Sequence, residues 1–313
     1  MADAFESLYE QGFQAFHIGN YEAATAALVQ ALQLRPDHQR AIAGLGMALL
    51  GRGLYPQGWA LYEARKALDP TPLDGGAVPE WDGGPLEGRR LLVWPEQGLG
   101  DEIQMARYIP HLRGAGPITL ACSPPLARLF EQLGVDVFAR TEGAAPPPAD
   151  VFVRNFSLPG LLGTTLETIP PAPYLRAPSE PRRGGVGFVW RGDPTHPNDA
   201  RRSLPSPDVL APLGAVAELV DLQAPRGDFL DTATRIQALD LVVTVDTSMA
   251  HLAGALGVPC WVMLPAHGTD WRWLRGRSDS PWYPSLRLYR QAIPGDWAEV
   301  VARMKADLAA ARR

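Results

Sequence analysis

The sequence predicts an α/β protein in which a short all-α segment precedes two successive units of alternating strands and helices. Three observations carry this prediction. A 34-residue repeat occupies the first 70 residues, and apolar strand-like runs alternate with helical spacing from residue 90 onward. A Pro-rich passage over residues 170–185 divides that alternating pattern in two. The length of 313 residues is sufficient for two or three domains.

The all-α segment is predicted from Gly, Tyr and Pro residues that recur 34 positions apart. The recurring pairs are Gly12 and Gly46, Gly19 and Gly53, Tyr21 and Tyr55, and Pro36 and Pro70. This period and these residue types resemble tetratricopeptide (TPR) repeats, which are paired helices that stack on one another. Two units are fewer than a free-standing array needs, so we expect residues 1–70 to dock on the next domain or on a second copy of the chain.

Residues 71–89, rich in Pro, Gly and Asp, are predicted to be a linker, and the two α/β units are predicted at 90–178 and 179–313. The predicted strands are 91–94, 118–121, 135–138, 151–153, 186–190, 218–222, 241–245 and 260–264. The predicted helices are 101–113, 124–133, 231–239, 248–256 and 297–311. Such alternation gives parallel sheets, and two units in series predict a ligand cleft at their interface.

Composition argues against several classes of protein. The net charge of −5 argues against a nucleic-acid partner bound through a broad basic surface. Cys122 and Cys260 are interpreted as buried thiols of a reducing compartment, with a disulfide or a metal site disfavoured. The chain shows no charged-then-apolar leader and no apolar run long enough to cross a bilayer, so we expect a cytoplasmic protein.

The turn formed by Asp246, Thr247 and Ser248 lies between a predicted strand and a predicted helix. N–H groups at a helix N-terminus are unsatisfied and carry partial positive charge, so this turn is a candidate phosphate site. His251 lies one turn further, on a face that can point back toward the same spot. The alternative is an ordinary N-cap, because Asp, Thr and Ser are favoured there without any ligand.

Gly98, Gly100 and Asp101 form a second candidate loop, after the first strand and at the start of a helix. Glycines let the backbone pass close to a ligand, and an aspartate at a helix start is stabilised as an anion. A full G-x-G-x-x-G pattern is absent because Ile103 occupies the third glycine position, so NAD binding is not predicted. A simple capping role for Asp101 is the alternative.

Arg191 and Arg202 follow the first strand of the second unit and are candidates for diphosphate binding. Arginine can neutralise a phosphate through several donors at once, although a solvated basic loop is the alternative. Gln223, at the end of a predicted strand, is a positional candidate for contact with a ribose or a base.

An aromatic cluster near the C-terminal end is interpreted in two ways. It is either a surface that stacks on a sugar or nucleobase or a packed lid over the domain edge, and its arginine is a candidate to pair with an acidic group. The members are Trp271, Arg272, Trp273, Trp282 and Tyr283.

The segment Asp246–Ala253, followed by Gly-Val-Pro, resembles the donor-binding motif of glycosyltransferase family 9, the ADP-heptose:lipopolysaccharide heptosyltransferase family. The loop at Gly100 and Asp101 is similar to that family's amino-terminal motif. Trp190-Arg191-Gly192 and Asp270–Trp273 look like its TPR-fused bacterial branch. The resemblance covers about residues 90–290.

This resemblance implies a GT-B-like pair of Rossmann-like domains, with the nucleotide sugar held mainly by the second. It implies transfer of a sugar from a nucleotide-diphosphate-sugar donor to a hydroxyl acceptor with inversion, without a cofactor or an obligatory metal. The family's general base corresponds to Asp101. If Asp101 points away from the ligand, Glu96 and Glu102 are the nearby substitutes in this chain. Arg202 matches a lysine near the phosphates, whereas Ser248 departs from the family's usual glycine.

The acceptor is expected to be a protein or a glycan recognised through the TPR repeats, and a homo-oligomer is compatible with the repeat. One alternative is a non-catalytic TPR interaction protein whose α/β part is a degenerate nucleotide-sugar-binding scaffold. A nucleotide-sugar epimerase is a weaker third alternative.

Overall fold

A computed structural model describes residues 3–71, 73, 78–112, 116–178, 180–224 and 226–311. It has an N-terminal helical region followed by two α/β units, each built on a parallel sheet. The predicted mixed α/β class is therefore confirmed. The predicted domain ends at residues 1, 179 and 313, residues 72 and 74–77 of the predicted linker, and the end of the predicted helix at residue 113 lie outside the described residues.

The helical region consists of two pairs of packed helices that repeat at the predicted spacing. The helices are α1 (Ala4–His17), α2 (Tyr21–Leu34), α3 (Gln39–Gly51) and α4 (Tyr55–Tyr62). Gly12 and Gly46 allow each pair to pack closely, since a Cβ on either glycine would lie 2.6 Å from an atom of the facing helix. Gly19 and Gly53 adopt left-handed φ angles of 73° and 78° in the turn within each pair. The name TPR for this region stays a prediction.

The helical region docks on the α/β units, which confirms one of the two expected alternatives. Trp59 of α4 packs edge to face on Trp271 of the second unit, with ring centroids 5.4 Å apart. Arg65 lies in the 3-10 helix Glu63–Ala67, which follows α4. Its guanidinium forms a buried ion pair at 2.8 Å with the carboxylate of Glu96, which belongs to the first unit. Arg65 also pairs with Glu63 at 2.7 Å, and Glu96 lies 3.6 Å from Arg154, so the contact is part of a charge network between the helical region and the first sheet unit.

The first α/β unit is a four-stranded parallel sheet in the order β3-β2-β1-β4. Its strands are β1 (Leu91–Trp94), β2 (Ile118–Cys122), β3 (Asp136–Ala139) and β4 (Val151–Arg154), and its α-helices are α5 (Leu99–Met105), α6 (Ala127–Phe130) and α7 (Leu158–Leu161). The helix predicted from residue 101 ends earlier than expected and continues as a 3-10 helix over Ala106–Leu112. Pro110 lies in that segment and lacks the N–H that an α-helix would use there.

The second unit is a five-stranded parallel sheet in the order β6-β5-β7-β8-β9. Its strands are β5 (Val186–Val189), β6 (Leu219–Asp221), β7 (Leu241–Val245), β8 (Cys260–Leu264) and β9 (Leu286–Arg290), and its α-helices are α8 (Asp199–Arg202), α9 (Phe229–Gln237), α10 (Ser248–Leu256) and α11 (Trp297–Ala311). Strand β9 was not predicted. It lies at the sheet edge, and its charged residues interrupt the apolar run that identifies the central strands.

Helices α5 and α10 pack against each other where the two units meet. A Cβ on Gly100 would lie 2.8 Å from His251 Cδ2 and 3.2 Å from Ser248 Cα. A side chain at Gly100 would therefore force the two helices to shift, whether or not a ligand approaches the same loop.

Two further expectations concern burial and membranes. The thiols of Cys122 and Cys260 are free and buried, as predicted. Across the residues that the structure describes, no helix combines the length and the apolar character that crossing a bilayer would require.

Candidate functional site

A cavity of about 890 Å³ lies at the junction of the helical region and the two α/β units. Most of its walls are segments that follow strands β1, β5, β6, β7 and β8, and ligands of open parallel sheets bind at this carboxyl edge. The residues predicted for the site all line this cavity: Gly98, Gly100, Asp101, Arg191, Arg202, Gln223, Asp246, Thr247, Ser248 and His251. The structure thus brings them together, and their individual roles stay predictions.

The turn before α10 has the geometry of a capped helix N-terminus. Thr247 is the N-cap, and its hydroxyl accepts a hydrogen bond from the Met249 N–H at 3.3 Å. The Thr244 hydroxyl lies 3.2 Å from that of Thr247 and donates to the Val245 carbonyl at 2.8 Å. Thr247 therefore caps α10, and its role in binding a phosphate stays a prediction. Because a hydroxyl cap is neutral, the positive end of α10 stays electrostatically available to an anion.

Asp246 immediately precedes this cap and is 9% exposed. Burial and the neighbouring Asp270 raise the pKa of Asp246 to about 6, while Arg272 and Arg202 oppose the rise. The charge at the back of the turn therefore changes over the pH range in which most enzymes are assayed.

His251 is buried one turn into α10, with its Nδ1 2.9 Å from the Tyr283 hydroxyl. Burial, together with the positive charges of Arg272 and Arg107, lowers the pKa of His251 well below its usual value. The imidazole is consequently neutral near pH 7. It offers the cavity a hydrogen bond rather than a positive charge.

Asp101 lies at the start of α5, and both of its carboxylate oxygens have partners. Oδ2 accepts the Gly98 N–H at 2.9 Å, and Oδ1 accepts from Arg272 Nη2 at 2.6 Å. Asp101 therefore takes part in capping α5, and its role as a base stays a prediction. Burial raises the pKa of Asp101 above its ordinary value, with Arg272 and the Gly98 N–H opposing the rise and Asp270 adding to it. A carboxylate in this setting is able to accept a proton from a bound hydroxyl.

Glu96 and Glu102, the predicted substitutes for Asp101, do not line the cavity. The Glu96 carboxylate pairs with Arg65, and the Glu102 carboxylate accepts the N–H of Ser123 at 2.8 Å as well as its hydroxyl. Their own partners hold both groups away from the site, and because Asp101 itself lines the cavity, the condition under which either would replace it is not met.

The loop after β5 is held by Gln223. Its side-chain oxygen accepts the N–H groups of Trp190 at 3.2 Å and Arg191 at 3.1 Å. Gln223 therefore supports the loop that carries Arg191, a role that the sequence analysis did not predict. Arg202 is mostly buried, and its Nε lies 3.5 Å from the Asp199 carboxylate.

Arg272 is the residue whose importance the sequence analysis understated. Its Nη2 contacts Asp101, its Nη1 lies 2.9 Å from Asp270 Oδ2, and it is 6% exposed. The expectation that Arg272 pairs with an acidic group is confirmed. The sequence feature that could have identified Arg272 is its position in the polar loop after β8, which follows the carboxyl end of a strand as the loops after β5 and β7 do.

The rest of the aromatic cluster follows the packed alternative. Trp271, Trp273, Trp282 and Tyr283 are all buried, and Tyr55 of α4 packs on Trp282 with centroids 5.8 Å apart. Among the cluster members, Trp271 and Arg272 line the cavity.

The helical region supplies a wall that was not predicted. Phe16 and His17 of α1, Met47 of α3 and Tyr62 of α4 line the cavity. The Tyr62 hydroxyl accepts a hydrogen bond from Gln97 Nε2 at 2.8 Å, which joins this wall to the loop before α5. Within the described part of the chain, no three His, Cys, Asp or Glu side chains lie close enough to hold a metal ion.

No protein-family model matches the chain. Protein FlbA of Caulobacter vibrioides is 29% identical over 372 residues, an alignment that covers 96% of this chain and 61% of FlbA. The chain therefore spans about three fifths of the length of this curated relative.

Solved structures similar to this chain include two bacterial proteins. The iron-containing dodecameric glycosyltransferase TibC from enterotoxigenic E. coli H10407 is 14% identical, with coverage of 70% of this chain and 77% of TibC and a TM-score of 0.45. A glycosyl transferase family 9 protein from Veillonella parvula is 10% identical, with coverage of 75% and 98% and a TM-score of 0.46.

Proposed function

We propose that the chain is an inverting glycosyltransferase, which moves a sugar from a nucleotide-diphosphate-sugar donor to a hydroxyl acceptor. One observation carries the proposal. Asp101 at the start of α5 and the Thr247 turn at the start of α10 come from different α/β units and line one cavity. A base and an anion site on facing walls are what direct displacement of a diphosphate requires.

The start of α10 is the proposed diphosphate site. Cleavage of the sugar–phosphate bond leaves additional negative charge on the departing nucleoside diphosphate. First-turn N–H groups of α10 and the guanidinium groups of Arg191 and Arg202 are placed to stabilise that charge, because all of them line the same cavity. These groups supply the role that a metal ion plays in other transferases.

Asp101 is the proposed general base. The acceptor oxygen attacks the anomeric carbon on the face opposite the diphosphate, its proton passes to the Asp101 carboxylate, and the bond from carbon to the phosphate oxygen breaks. A single displacement of this kind inverts the anomeric centre.

The helical region, with its similarity to TPR repeats, is the proposed binding surface for a protein or glycan acceptor. Phe16 and Met47 bring apolar surface to the cavity wall, and Phe13 on the preceding turn of α1 is 41% exposed. Aromatic rings stack on sugars and on peptide side chains alike.

A second candidate function is a non-catalytic interaction protein with a nucleotide-sugar-binding scaffold. The observation that favours it is that both Asp101 oxygens already have protein partners, Gly98 and Arg272. A carboxylate used only to hold the two units together would look the same.

The test combines binding and transfer. We expect ADP, UDP, GDP or CDP to raise the melting temperature, and one matching nucleotide sugar to be consumed in a mass-spectrometric donor panel. Asp101→Asn should abolish transfer while the thermal shift by the diphosphate persists. The matched control is Asp150→Asn, because Asp150 also accepts from a backbone N–H and a guanidinium, both of Arg90.

The outcomes separate the two candidates. Thermal shifts without consumption of any donor would favour the non-catalytic protein. Absence of both thermal shifts and donor consumption would contradict the diphosphate site itself.

A further inference from the structure

We propose that Arg272 is a positioning residue that keeps Asp101 ionised and aimed at the acceptor, and that Asp270 tunes this action by sharing the same guanidinium. The inference rests on the proposed function, because it gives Asp101 the role of base. It concerns residues from both α/β units, since Asp101 belongs to the first and Arg272 to the second.

The geometry gives the guanidinium two carboxylate partners. Arg272 Nη2 lies 2.6 Å from Asp101 Oδ1, and Nη1 lies 2.9 Å from Asp270 Oδ2. The backbone N–H of Arg272 also donates to Asp270 Oδ1 at 2.9 Å, and the guanidinium lies over the Trp271 ring at 5.2 Å. The side chain is thus held from three directions, with one hydrogen bond directed at the proposed base.

The two carboxylates compete for one guanidinium. The side chain of Arg272 is 7% exposed and that of Asp101 17%, whereas that of Asp270 is 32% exposed. Burial opposes the charge of Arg272, and the pKa of Arg272 is raised by Asp270 first and by Asp101 second. On the pKa of Asp101, the effect of Asp270 is smaller than that of Arg272.

Other titratable groups face this pair from the surrounding elements. Tyr62 approaches from α4, His196 from the loop after β5, and Asp246 faces the guanidinium from the turn before α10. The Glu102 carboxylate of α5 is bound by Ser123 outside the cavity, and burial and, to a smaller extent, Asp101 raise its pKa. Burial raises the pKa of Tyr62 to about 12, and burial and Arg202 lower that of His196. Both are neutral near pH 7, so the guanidinium is the positive charge that directly contacts the base.

Two substitutions should shift the pKa of Asp101 in opposite directions. Without Arg272, burial acts on Asp101 with less opposition, so its pKa rises and a higher pH is needed to ionise it. Without the charge of Asp270, the arginine acts on Asp101 alone, so the pKa of Asp101 falls.

The experiment is the pH profile of kcat for transfer in the wild type, Arg272→Met, Arg272→Lys and Asp270→Asn. We expect Arg272→Met to shift the acid limb of the profile to higher pH by about one unit. At a given pH on that limb, kcat should be about tenfold lower than in the wild type, and activity should be partly recovered at alkaline pH. Arg272→Lys should lie between that variant and the wild type, and Asp270→Asn should move the limb down by a smaller amount.

The matched control is Arg277→Met. Arg277 pairs with Asp279 at 2.6 Å in the same segment but outside the cavity, so its profile should equal that of the wild type. A uniform loss of kcat in Arg272→Met at every pH, with the limb unmoved, would overturn the proposal in favour of a purely structural or donor-binding arginine.

A second measurement does not depend on transfer. The free energy of unfolding is measured against pH for Arg272→Met in the wild-type and the Asp101→Asn backgrounds. A raised carboxyl pKa in the folded state makes ionisation costly, so the destabilisation by Arg272→Met should grow as pH rises from 4 to 8. This growth should be smaller once Asp101 is removed.

The two measurements fail in different ways. Absence of transfer from every donor would contradict the proposed function, while the unfolding data would still test the coupling. Equal growth of the destabilisation in both backgrounds would overturn the coupling. If Arg272→Met does not fold, Arg272→Lys in the same two backgrounds decides.

Discussion

Helices α5 and α10 both begin at the cavity, and they satisfy their N-termini differently. Helix α10 begins after the neutral hydroxyl of Thr247, whereas α5 carries the charged carboxylate of Asp101 in its first turn. A carboxylate in the first turn offsets the partial positive charge of the helix N-terminus, so such a helix attracts a second anion only weakly. A neutral hydroxyl cap leaves that partial positive charge in place. The difference supports the proposed division of tasks, with anion binding at α10 and proton transfer at α5.

The largest effect should come from making the two helix starts alike. Thr247→Asp keeps an N-cap acceptor on α10 but adds a negative charge where the diphosphate is proposed to bind. We expect the affinity for nucleoside diphosphate to fall at least about 100-fold, measured by calorimetry, with the melting temperature of the free protein unchanged or raised.

Ser206→Asp is the control, because Ser206 caps the 3-10 helix Pro207–Ala215 outside the cavity. Unchanged diphosphate affinity in Thr247→Asp would contradict the assignment of the anion to α10.

The next effect concerns the buried carboxyl behind the α10 cap. Asp246 has its pKa raised to about 6, so its ionisation is unfavourable in the folded protein. The contribution of the protonated Asp246 carboxyl to the free energy of unfolding is fully present below the pKa of the unfolded chain and is lost as pH rises through about 6. Relative to wild type, Asp246→Asn should therefore gain about 2 kcal/mol of unfolding free energy between pH 4 and 7, measured in urea. A pH-independent difference would contradict the raised pKa.

A third prediction tests how closely the two helix starts approach. Gly100→Ala places a Cβ 2.8 Å from His251, so the two units must separate slightly. We expect a loss of about 1–2 kcal/mol in unfolding free energy. Gly98→Ala is the matched comparison, since its Cβ would lie at an ordinary 3.5 Å from Asp101 Oδ2. Equal losses of unfolding free energy in the two variants would mean that glycine is needed at position 100 for backbone freedom and not for the contact between the helices.

The smallest effect should come from the support behind α10. Tyr283→Phe removes the hydroxyl that contacts His251 Nδ1 at 2.9 Å. We expect a loss of about 1 kcal/mol in stability, and a weaker thermal shift by diphosphate because the imidazole is less well oriented. A variant with wild-type stability and binding would show that the contact has no role in the site.

Local signals explain which elements were predictable. Strand β7, helix α10 and strand β8 have the predicted bounds, because Thr247 caps the helix start and Gly257 ends it in a left-handed conformation. The helix predicted from residue 101 was too long because the 3-10 segment around Pro110 depends on packing, and β9 was missed because edge strands carry weak apolar patterns.

The candidate site was predictable where chemistry follows from short motifs. Asp246 and Thr247 directly follow β7, and Asp101 lies in the helix after β1, so each is expected near the carboxyl edge of its own sheet. The contact of Asp101 with Arg272 joins residues 171 positions apart, and no local pattern reveals it. The choice of Asp101 over Glu102 likewise depends on Ser123, whose N–H donates to the Glu102 carboxylate only in the folded chain.

The buried pair between Arg65 and Glu96 has a consequence for how such a chain can change over evolutionary time. A gene fusion that replaced the leading helices with unrelated ones would leave Glu96 with the Arg154 guanidinium at 3.6 Å as its remaining cation and would uncover the indole of Trp271. Exchange of the helices therefore requires new packing on both α/β units, and the proposed acceptor surface would change by substitutions that leave the docking contacts intact.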